Sequence, residues 1–204
     1  NLSIQGGYNP VGWAWDPANQ TTTIFGNGNS SVTVSGANMT ETLSYLTLSG
    51  GTGGSQAGVL MTAAADGNTL VVEGCKIIGN RYGVYRLNGV IGSHLVFRNT
   101  LIADNTANGI YANILNDQNV GSCKLINCTI ANNRSHGYFS NSGSGGNNMT
   151  PSMTNTLVTG NNGYGIYLPY STGNGAVGYS LFYGNTNGAW FGYVTDLGGN
   201  KFCQ

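Results

Sequence analysis

Short stretches in which apolar and polar residues alternate recur along this chain of 204 residues. In five of them a large apolar residue stands three positions before a small residue, and a second apolar residue follows two positions after it. Alternation with a period of two predicts a short β-strand that buries one face. The small residues on which the stretches align are Cys75, Thr100, Cys128, Thr156 and Ser180.

These aligned residues follow one another at similar intervals along the chain. Two earlier copies, at residues 22–27 and 46–51, follow the same order less completely. After most copies a glycine opens a second apolar strand, as at residues 83–85 and 165–167. A period of this kind indicates a repeat architecture. We therefore predict an all-β solenoid of about seven coils, each of about 24–29 residues.

An asparagine stands three residues after the second apolar position in most copies. Strands this short cannot pair stably alone, whereas strands stacked about 4.8 Å apart in successive coils satisfy their backbone groups. Asparagine tolerates left-handed backbone at a corner, and stacked asparagines can pass amide hydrogen bonds from one to the next. The predicted Asn ladder consists of Asn27, Asn80, Asn105, Asn133, Asn161 and Asn185.

The order Ile-x-x-Asn followed by Gly-Ile-Tyr, at residues 102–105 and 109–111, resembles the repeat of the right-handed parallel β-helices of the pectate-lyase-like superfamily. Residues 182–185 are similar to the Phe-x-x-Asn repeat of bacterial surface β-helix proteins. The resemblance implies one right-handed β-helix domain over residues 1–204, with a coil or cap region at 1–40, regular coils at 41–194 and a tail at 195–204. Lyases, hydrolases, epimerases, adhesins and fibre proteins share this scaffold, so the fold leaves the function open.

Charge is scarce in this chain, with seven acidic and seven basic residues. Without a basic excess we expect no nucleic-acid partner. Without a run of about 18 apolar residues we expect no membrane span. The four cysteines show no metal-like spacing, so we expect no metal and no cofactor. A neutral domain with few charges tends to associate.

Candidate catalytic residues are few. The acid and histidine motifs of polygalacturonases, pectate lyases and alginate epimerases are missing from the chain. The repeat places Arg81, Asp104 and Arg134 at or beside the Asn corner of successive coils, with His136 two residues beyond. We interpret the three charged residues as a surface ion-pair ladder of little energetic value. A site for an acidic sugar, with these four residues as weak catalytic candidates, is the alternative.

One aromatic residue follows the glycine of the second strand in each coil. If the preceding apolar residues point inward, alternation turns these rings outward, where they would suit sugar stacking or a protein contact. The alternative is that the rings fold onto the core. The predicted aromatic column consists of Tyr85, Tyr111, Phe139, Tyr167 and Trp190.

Six Asn-x-Ser/Thr sequons occur, about as many as the composition gives by chance, so their number is no evidence of glycosylation. Asn133 is also a corner residue and is not expected to be modified. The remaining candidate glycosylation sites are Asn19, Asn29, Asn38, Asn127 and Asn148.

The ends of the predicted rod decide the functional hypothesis. A solenoid exposes core and unpaired strand edges at its ends unless caps cover them. No helical periodicity precedes the first coil, and Asp196 and Lys201 alone carry charge near the other end. Head-to-tail contacts propagate into filaments. We expect a secreted structural protein, a subunit of an extracellular filament or surface layer that self-associates end to end. The alternatives are a noncatalytic cell-surface adhesin or carbohydrate-binding β-helix, and a polysaccharide lyase, hydrolase or epimerase.

Overall fold

The fold is known from a computed structural model that describes residues 1–114, 121–142, 149–169 and 174–203. Throughout these ranges short strands alternate with turns and bends, and there is no helix. The strands are β1 (Leu2–Gln5), β2 (Thr22–Phe25), β3 (Val32–Val34), β4 (Thr40–Ser44), β5 (Leu46–Ser49), β6 (Ala57–Met61), β7 (Thr69–Glu73), β8 (Lys76–Ile78), β9 (Tyr82–Arg86), β10 (His94–Arg98), β11 (Leu101–Ala103), β12 (Ile110–Asn113), β13 (Ser122–Ile126), β14 (Thr129–Ala131), β15 (Tyr138–Asn141), β16 (Pro151–Thr154), β17 (Leu157–Thr159), β18 (Tyr164–Tyr167), β19 (Gly175–Gly178), β20 (Leu181–Tyr183), β21 (Gly188–Phe191), β22 (Val194–Asp196) and β23 (Lys201–Cys203).

The strands stack into three parallel sheets, and every third strand belongs to the same sheet. The first sheet runs from β1 through β4 and β7 to β22, the second from β2 through β5 to β23, and the third from β3 through β6 to β21. Seven successive triplets each complete one coil, and β22 and β23 begin an eighth. The predicted all-β parallel solenoid of about seven coils is confirmed.

Coil length departs from the predicted range at both ends. In the first sheet Leu2 pairs with Glu41, which makes the first coil much longer than the others. The excess arises because residues 6–21 leave the coil and return through an antiparallel bridge between Tyr8 and Trp15. At the other end Ala176 already pairs with Thr195, so the last coil is short. The pairings between these extremes follow the predicted period.

The terminal regions also differ from the prediction. Residues 195–204 were expected to be a tail, but β22 pairs with β19 and β23 pairs with β20, so the solenoid continues into them. In the region expected as a coil or cap, by contrast, β1, β2 and β3 are regular members of the three sheets and form the first coil. The last coil is short because only Gly192 and Tyr193 separate β21 from β22, and Gly192 has the left-handed φ of 96° that this tight connection uses.

One apolar core fills the space between the sheets. Each fully buried large apolar side chain stabilises the fold by about 1.5–3 kcal/mol. One column of the first sheet illustrates the stacking, because pairing places its residues directly above one another: Leu43, Val72, Phe97, Leu125, Met153 and Val177. In the neighbouring column Glu41 stands between Leu2 and Leu70, so one carboxyl interrupts the apolar stack near the first coil.

The corner between the second and third sheets has left-handed backbone, but of the predicted ladder asparagines only Asn27 has it. For the other five, the residue before the asparagine has the positive φ, and these residues are Gly79, Asp104, Asn132, Gly160 and Gly184. The chain therefore turns one position before the asparagine, and the side-chain amide of the asparagine points into the solenoid.

Candidate functional site

Five buried or half-buried asparagines form a continuous hydrogen-bonded row along this corner. The Oδ1 atom of Asn105 accepts from the N–H and the Nδ2 of Asn80, at 3.0 and 3.2 Å. The same pair of bonds joins Asn105 to Asn133, Asn133 to Asn161 and Asn161 to Asn185. We call Asn80, Asn105, Asn133, Asn161 and Asn185 the buried Asn ladder.

Asn27, the first residue of the predicted Asn ladder, is not part of this row. The coil between it and Asn80 carries Gly51 at the equivalent position, and the N–H of Gly51 donates to Asn80 Oδ1 at 2.9 Å. A glycine has no side-chain amide to continue the row, and Asn27 is exposed with a left-handed φ of 49°. The glycine at position 51 is the feature of the sequence that indicates this break in the row.

The outward aromatic residues of the third sheet stack on one another. Pairing aligns Tyr85, Tyr111, Phe139 and Tyr167 in successive coils. The ring centroids of Tyr85 and Tyr111 lie 4.9 Å apart with 5° between the planes, and those of Tyr111 and Phe139 lie 5.0 Å apart with 6°. Such stacking covers most of each ring face, because each face lies against a neighbouring ring.

The prediction that Trp190 is the last residue of the aromatic column is wrong by one position. Tyr167 pairs with Phe191, whereas Trp190 pairs with the inward Ile166 and packs its edge against Phe182. The sequence alignment equated Gly188 with Gly165, but the sheet pairs Gly188 with Tyr164. We call Tyr85, Tyr111, Phe139, Tyr167 and Phe191 the aromatic ladder.

A second row of rings, which the sequence analysis missed, flanks the aromatic ladder three residues earlier in the chain. Tyr82 lies 4.8 Å from Tyr85, Tyr164 lies 5.4 Å from Tyr167, and His136 lies 4.4 Å from Tyr167, measured between ring centroids. The rings of the aromatic ladder are buried to different extents: Tyr85 is only 8% exposed, whereas Phe191, at the open end, is 45% exposed. The rings therefore pack chiefly against one another, and Phe191 offers the most open surface.

His136 is a packing residue in this arrangement. Its Nδ1 atom accepts the backbone N–H of Tyr164 at 2.9 Å, which fixes the neutral ring with its proton on Nε2. Burial lowers the pKa of His136 to about 4, because the charged form would lose its hydration. A neutral imidazole whose Nδ1 is already hydrogen-bonded has lost one of its two positions for proton transfer.

The expected ion-pair ladder does not form. Arg81 aligns with Arg134, whereas Asp104 lies two positions earlier, aligned with Gly79 and Asn132. Neither arginine pairs with Asp104 within the described ranges, and the Arg81 guanidinium instead lies 5.4 Å from the Tyr82 ring centroid. Asp104 therefore stands two positions off the column that Arg81 and Arg134 share.

The candidate glycosylation sites fall into different environments. Asn29 and Asn38 are exposed, and exposed Asn19 donates from Nδ2 to the Asp16 carboxylate at 2.9 and 3.1 Å. Exposed Asn127 donates to Asn99 Oδ1 at 3.3 Å and accepts from Asn155 Nδ2 at 2.8 Å. Asn148 lies outside the described residues.

Asn99, Asn127 and Asn155 form an outer Asn row that the sequence analysis missed. All three have left-handed φ values, between 49° and 53°, at the corner between the first and second sheets. The signal was present, because an asparagine directly precedes the small aligned residue in these three coils.

Both ends of the solenoid present strand edges. At the first coil β1, β2 and β3 are the terminal strands, and Ile4, Ile24 and Val32 are only partly buried against the core. At the other end Trp190 and Val194 are partly buried and Phe202 is 48% exposed. A depression of about 870 Å³ opens there, lined by residues 182–190, Phe202 and Cys203.

Metal-binding clusters and helices long enough to span a membrane are both missing from the described part of the chain. It contains no group of three or more His, Cys, Asp or Glu residues able to hold a metal ion. None of its segments is a helix with the length and apolar character of a membrane span. Its four cysteines are free, with Cys75, Cys123 and Cys128 buried and Cys203 exposed.

The comparisons with known proteins agree with this geometry. The family model described as a right-handed beta helix region matches residues 23–202. No curated protein and no solved structure matches the chain. Because the match covers most of the sequence and its limits coincide with β2 and β23, the chain belongs to the right-handed β-helix family.

Proposed function

We propose that this chain is a secreted structural protein whose β-helix stacks end to end in an extracellular filament or surface layer. The observation that carries the proposal is that strand edges of all three sheets are uncovered at both ends within the described residues. Unpaired edges are templates for a further strand. A contact between unlike ends repeats without closing, which produces a filament.

The register of the sheets supports a specific contact. If the stacking continues from one copy to the next, β1 lies against β22 and β2 lies against β23. Inward Leu2 would then meet Val194, and Ile24 would meet Phe202. Both pairs bring apolar side chains together that are partly exposed in a single copy.

One residue weakens this contact. Asp196 follows Val177 in the inward column of the first sheet, and inward charges are a known means of limiting edge pairing. The Asp196 carboxylate accepts from the N–H of Gly198 at 2.7 Å and from Asn200 Nδ2 at 2.6 Å. The contact proposed here therefore depends chiefly on the second sheet and on Val194.

The aromatic ladder favours a structural role over sugar stacking. A sugar ring that stacks on an aromatic side chain needs an open ring face. In the aromatic ladder neighbouring rings occupy these faces, and Phe191 is the most exposed member. A carbohydrate-binding role would consequently concentrate at Phe191 instead of following the whole row.

The test is the size of the purified protein as a function of concentration, by light scattering, followed by negative-stain microscopy. We expect rods whose length grows with concentration. Val194→Lys should shorten them, because it places a charge on the inward side of β22. Thr195→Lys, on the outward side of the same strand, is the matched control and should leave them unchanged. Single particles at all concentrations, or equal effects of the two variants, would refute end-to-end assembly.

A further inference from the structure

A shallow groove of about 270 Å³ lies on the side of the solenoid, at the corner between the first and second sheets. Pockets for drug-sized ligands typically measure about 300–1,000 Å³, so this groove has room for one unit of the size of a sugar ring. We call it the corner groove. The residues used in the following argument are Asn127, Asn155 and Tyr179 on the corner, and Thr129, Leu157 and Leu181 on the second sheet.

The corner residues of the groove form one row along the rod. Asn127, Asn155 and Tyr179 occupy equivalent positions in successive coils, because the strands that precede them pair in register. All three have a left-handed φ, between 50° and 53°. This conformation is common for asparagine and unusual for a bulky residue, and residues held in it often mark a functional site. Tyr179 thus places a ring where the two preceding coils place an amide.

The outer Asn row ends in the corner groove with an open acceptor. Asn155 Nδ2 donates to Asn127 Oδ1 at 2.8 Å, and Asn127 Nδ2 donates to Asn99 Oδ1 at 3.3 Å. The Oδ1 atoms therefore face the following coil in each case. The coil after Asn155 carries Tyr179, which has no amide, so within the described ranges no donor reaches Asn155 Oδ1. An N–H group placed beside Tyr179 would continue the row.

The ring of Tyr179 is exposed and held in place. It is 71% exposed, in contrast to the 8% of Tyr85 in the aromatic ladder. It also lies against Gly199 on the next corner, where a Cβ atom would come within 2.5 Å of the ring. The glycine therefore gives the ring its place along the rod. A fixed aromatic ring with much of its surface open can stack on the apolar face of a sugar.

The floor of the groove is apolar and uncharged. Leu157 pairs with Thr129 on one side and with Leu181 on the other, and the side chains of all three lie on the outward face of the second sheet. Leu157 is half-buried and Leu181 is 36% exposed. None of the residues that line the groove carries a charge. The groove therefore favours a neutral ligand with a small apolar group, which the two leucines would remove from water.

We propose that the corner groove binds one N-acetylhexosamine unit of a neutral glycan. The acetamido N–H donates to Asn155 Oδ1, the acetamido methyl packs on Leu157 and Leu181, and the sugar ring stacks on Tyr179. A sugar with a hydroxyl in place of the acetamido group can use the acceptor but leaves the apolar floor uncovered. An amide acceptor beside a pair of leucines therefore selects the acetamido sugar.

This binding site goes beyond the proposed assembly and does not depend on it. The groove lies on the side of the rod, away from the contacts at Val194 and Phe202 through which copies would stack. Val194→Lys should consequently bind the sugar as the unchanged protein does, even where it shortens the rods. The two proposals can therefore fail separately.

The first experiment is saturation-transfer NMR of two disaccharides with the whole protein, produced in bacteria so that the sequon at Asn127 carries no glycan. N,N′-Diacetylchitobiose and cellobiose have the same linked rings and differ in the acetamido groups. We expect the acetamido methyl to receive the strongest saturation, and N,N′-diacetylchitobiose to bind at least about tenfold more tightly. Equal affinities for the two sugars, or no saturable binding of N,N′-diacetylchitobiose, would overturn the proposal.

The second experiment repeats the titration with variants whose fold is checked by circular dichroism. Asn155→Gly keeps the left-handed backbone and removes the acceptor, so it should weaken binding by about threefold to tenfold. Asn99→Gly, in the same row outside the groove, is the matched control and should bind normally. Tyr179→Asn removes the ring and supplies an amide to Asn155 Oδ1, so it should abolish binding, whereas Tyr193→Asn, exposed elsewhere, should not. Equal affinities of Asn155→Gly and Asn99→Gly, or binding retained by Tyr179→Asn, would contradict the site.

Discussion

Removing one amide from the middle of the buried Asn ladder should cost far more stability than removing one from the outer Asn row. Asn133 is almost fully buried, and its side chain makes four hydrogen bonds. Oδ1 accepts from the N–H and Nδ2 of Asn105, at 3.2 and 2.9 Å, and Nδ2 donates to the Ile102 carbonyl at 3.3 Å and to Asn161 Oδ1 at 2.8 Å. Asn133→Ala leaves four buried polar groups without these partners.

At about 1 kcal/mol for each lost bond, the loss of unfolding free energy is about 3–5 kcal/mol. That is a large share of the roughly 5–15 kcal/mol typical of a domain. Asn127→Gly removes exposed bonds that water can replace and keeps the left-handed backbone of this position, so its cost should stay below about 1 kcal/mol. Urea unfolding followed by far-UV circular dichroism measures both. If the two variants have nearly equal unfolding free energies, the buried amide row is not a main source of stability.

Three further outcomes follow from the structure. The folded pKa of His136 is about 4 against an ordinary value of 6.5, so the unfolded state binds more protons between these values, and stability should fall as the pH drops from about 6.5 to 4. In His136→Gln the urea concentration at the unfolding midpoint should depend less on pH over this range. An unchanged dependence would contradict the burial of this ring. Gly109→Ala should lower the melting temperature by several degrees, because a Cβ there would lie 2.6 Å from a carbonyl oxygen of the next coil, whereas Gly54→Ala, with no atom closer than 4.0 Å, should not. Asp196→Val should lengthen the rods seen by light scattering, because it continues the apolar column above Val177; shorter rods would argue against the stacking register.

The sequence predicts the coil because one apolar pattern is repeated with a nearly constant period, and each repeat must bury its face against its neighbours. It fails where the period changes. Residues 6–21 carry no pattern that distinguishes a lateral excursion from a strand, so the long first coil, in which Leu2 pairs with Glu41, could not be foreseen. At β21 the glycine at position 188 imitates the glycine at position 165, which shifted the aromatic assignment from Phe191 to Trp190.

The surroundings of the candidate site residues could be predicted less well from the sequence than the coil. Alternation shows which side of the sheet an aromatic residue takes, but not whether its ring faces water or another ring. That depends on the small spacing between coils, which brings Tyr85 and Tyr111 within 4.9 Å. Similarly, the charged residues near the corner lie close in the alignment, yet Asp104 stands two positions off the arginines, at the point where the backbone reverses.

The pairing of His94 with Ser122 and of Cys123 with Pro151 means that two consecutive coils have the same length. A whole turn can therefore be excised, for instance residues 129–156, and Cys128 joined to Leu157 without moving any other side chain out of its row. The rod becomes shorter by one layer, about 4.8 Å. The length of the rod can therefore change in steps of one coil. Duplication or loss of one such unit lengthens or shortens the molecule while preserving both of its ends.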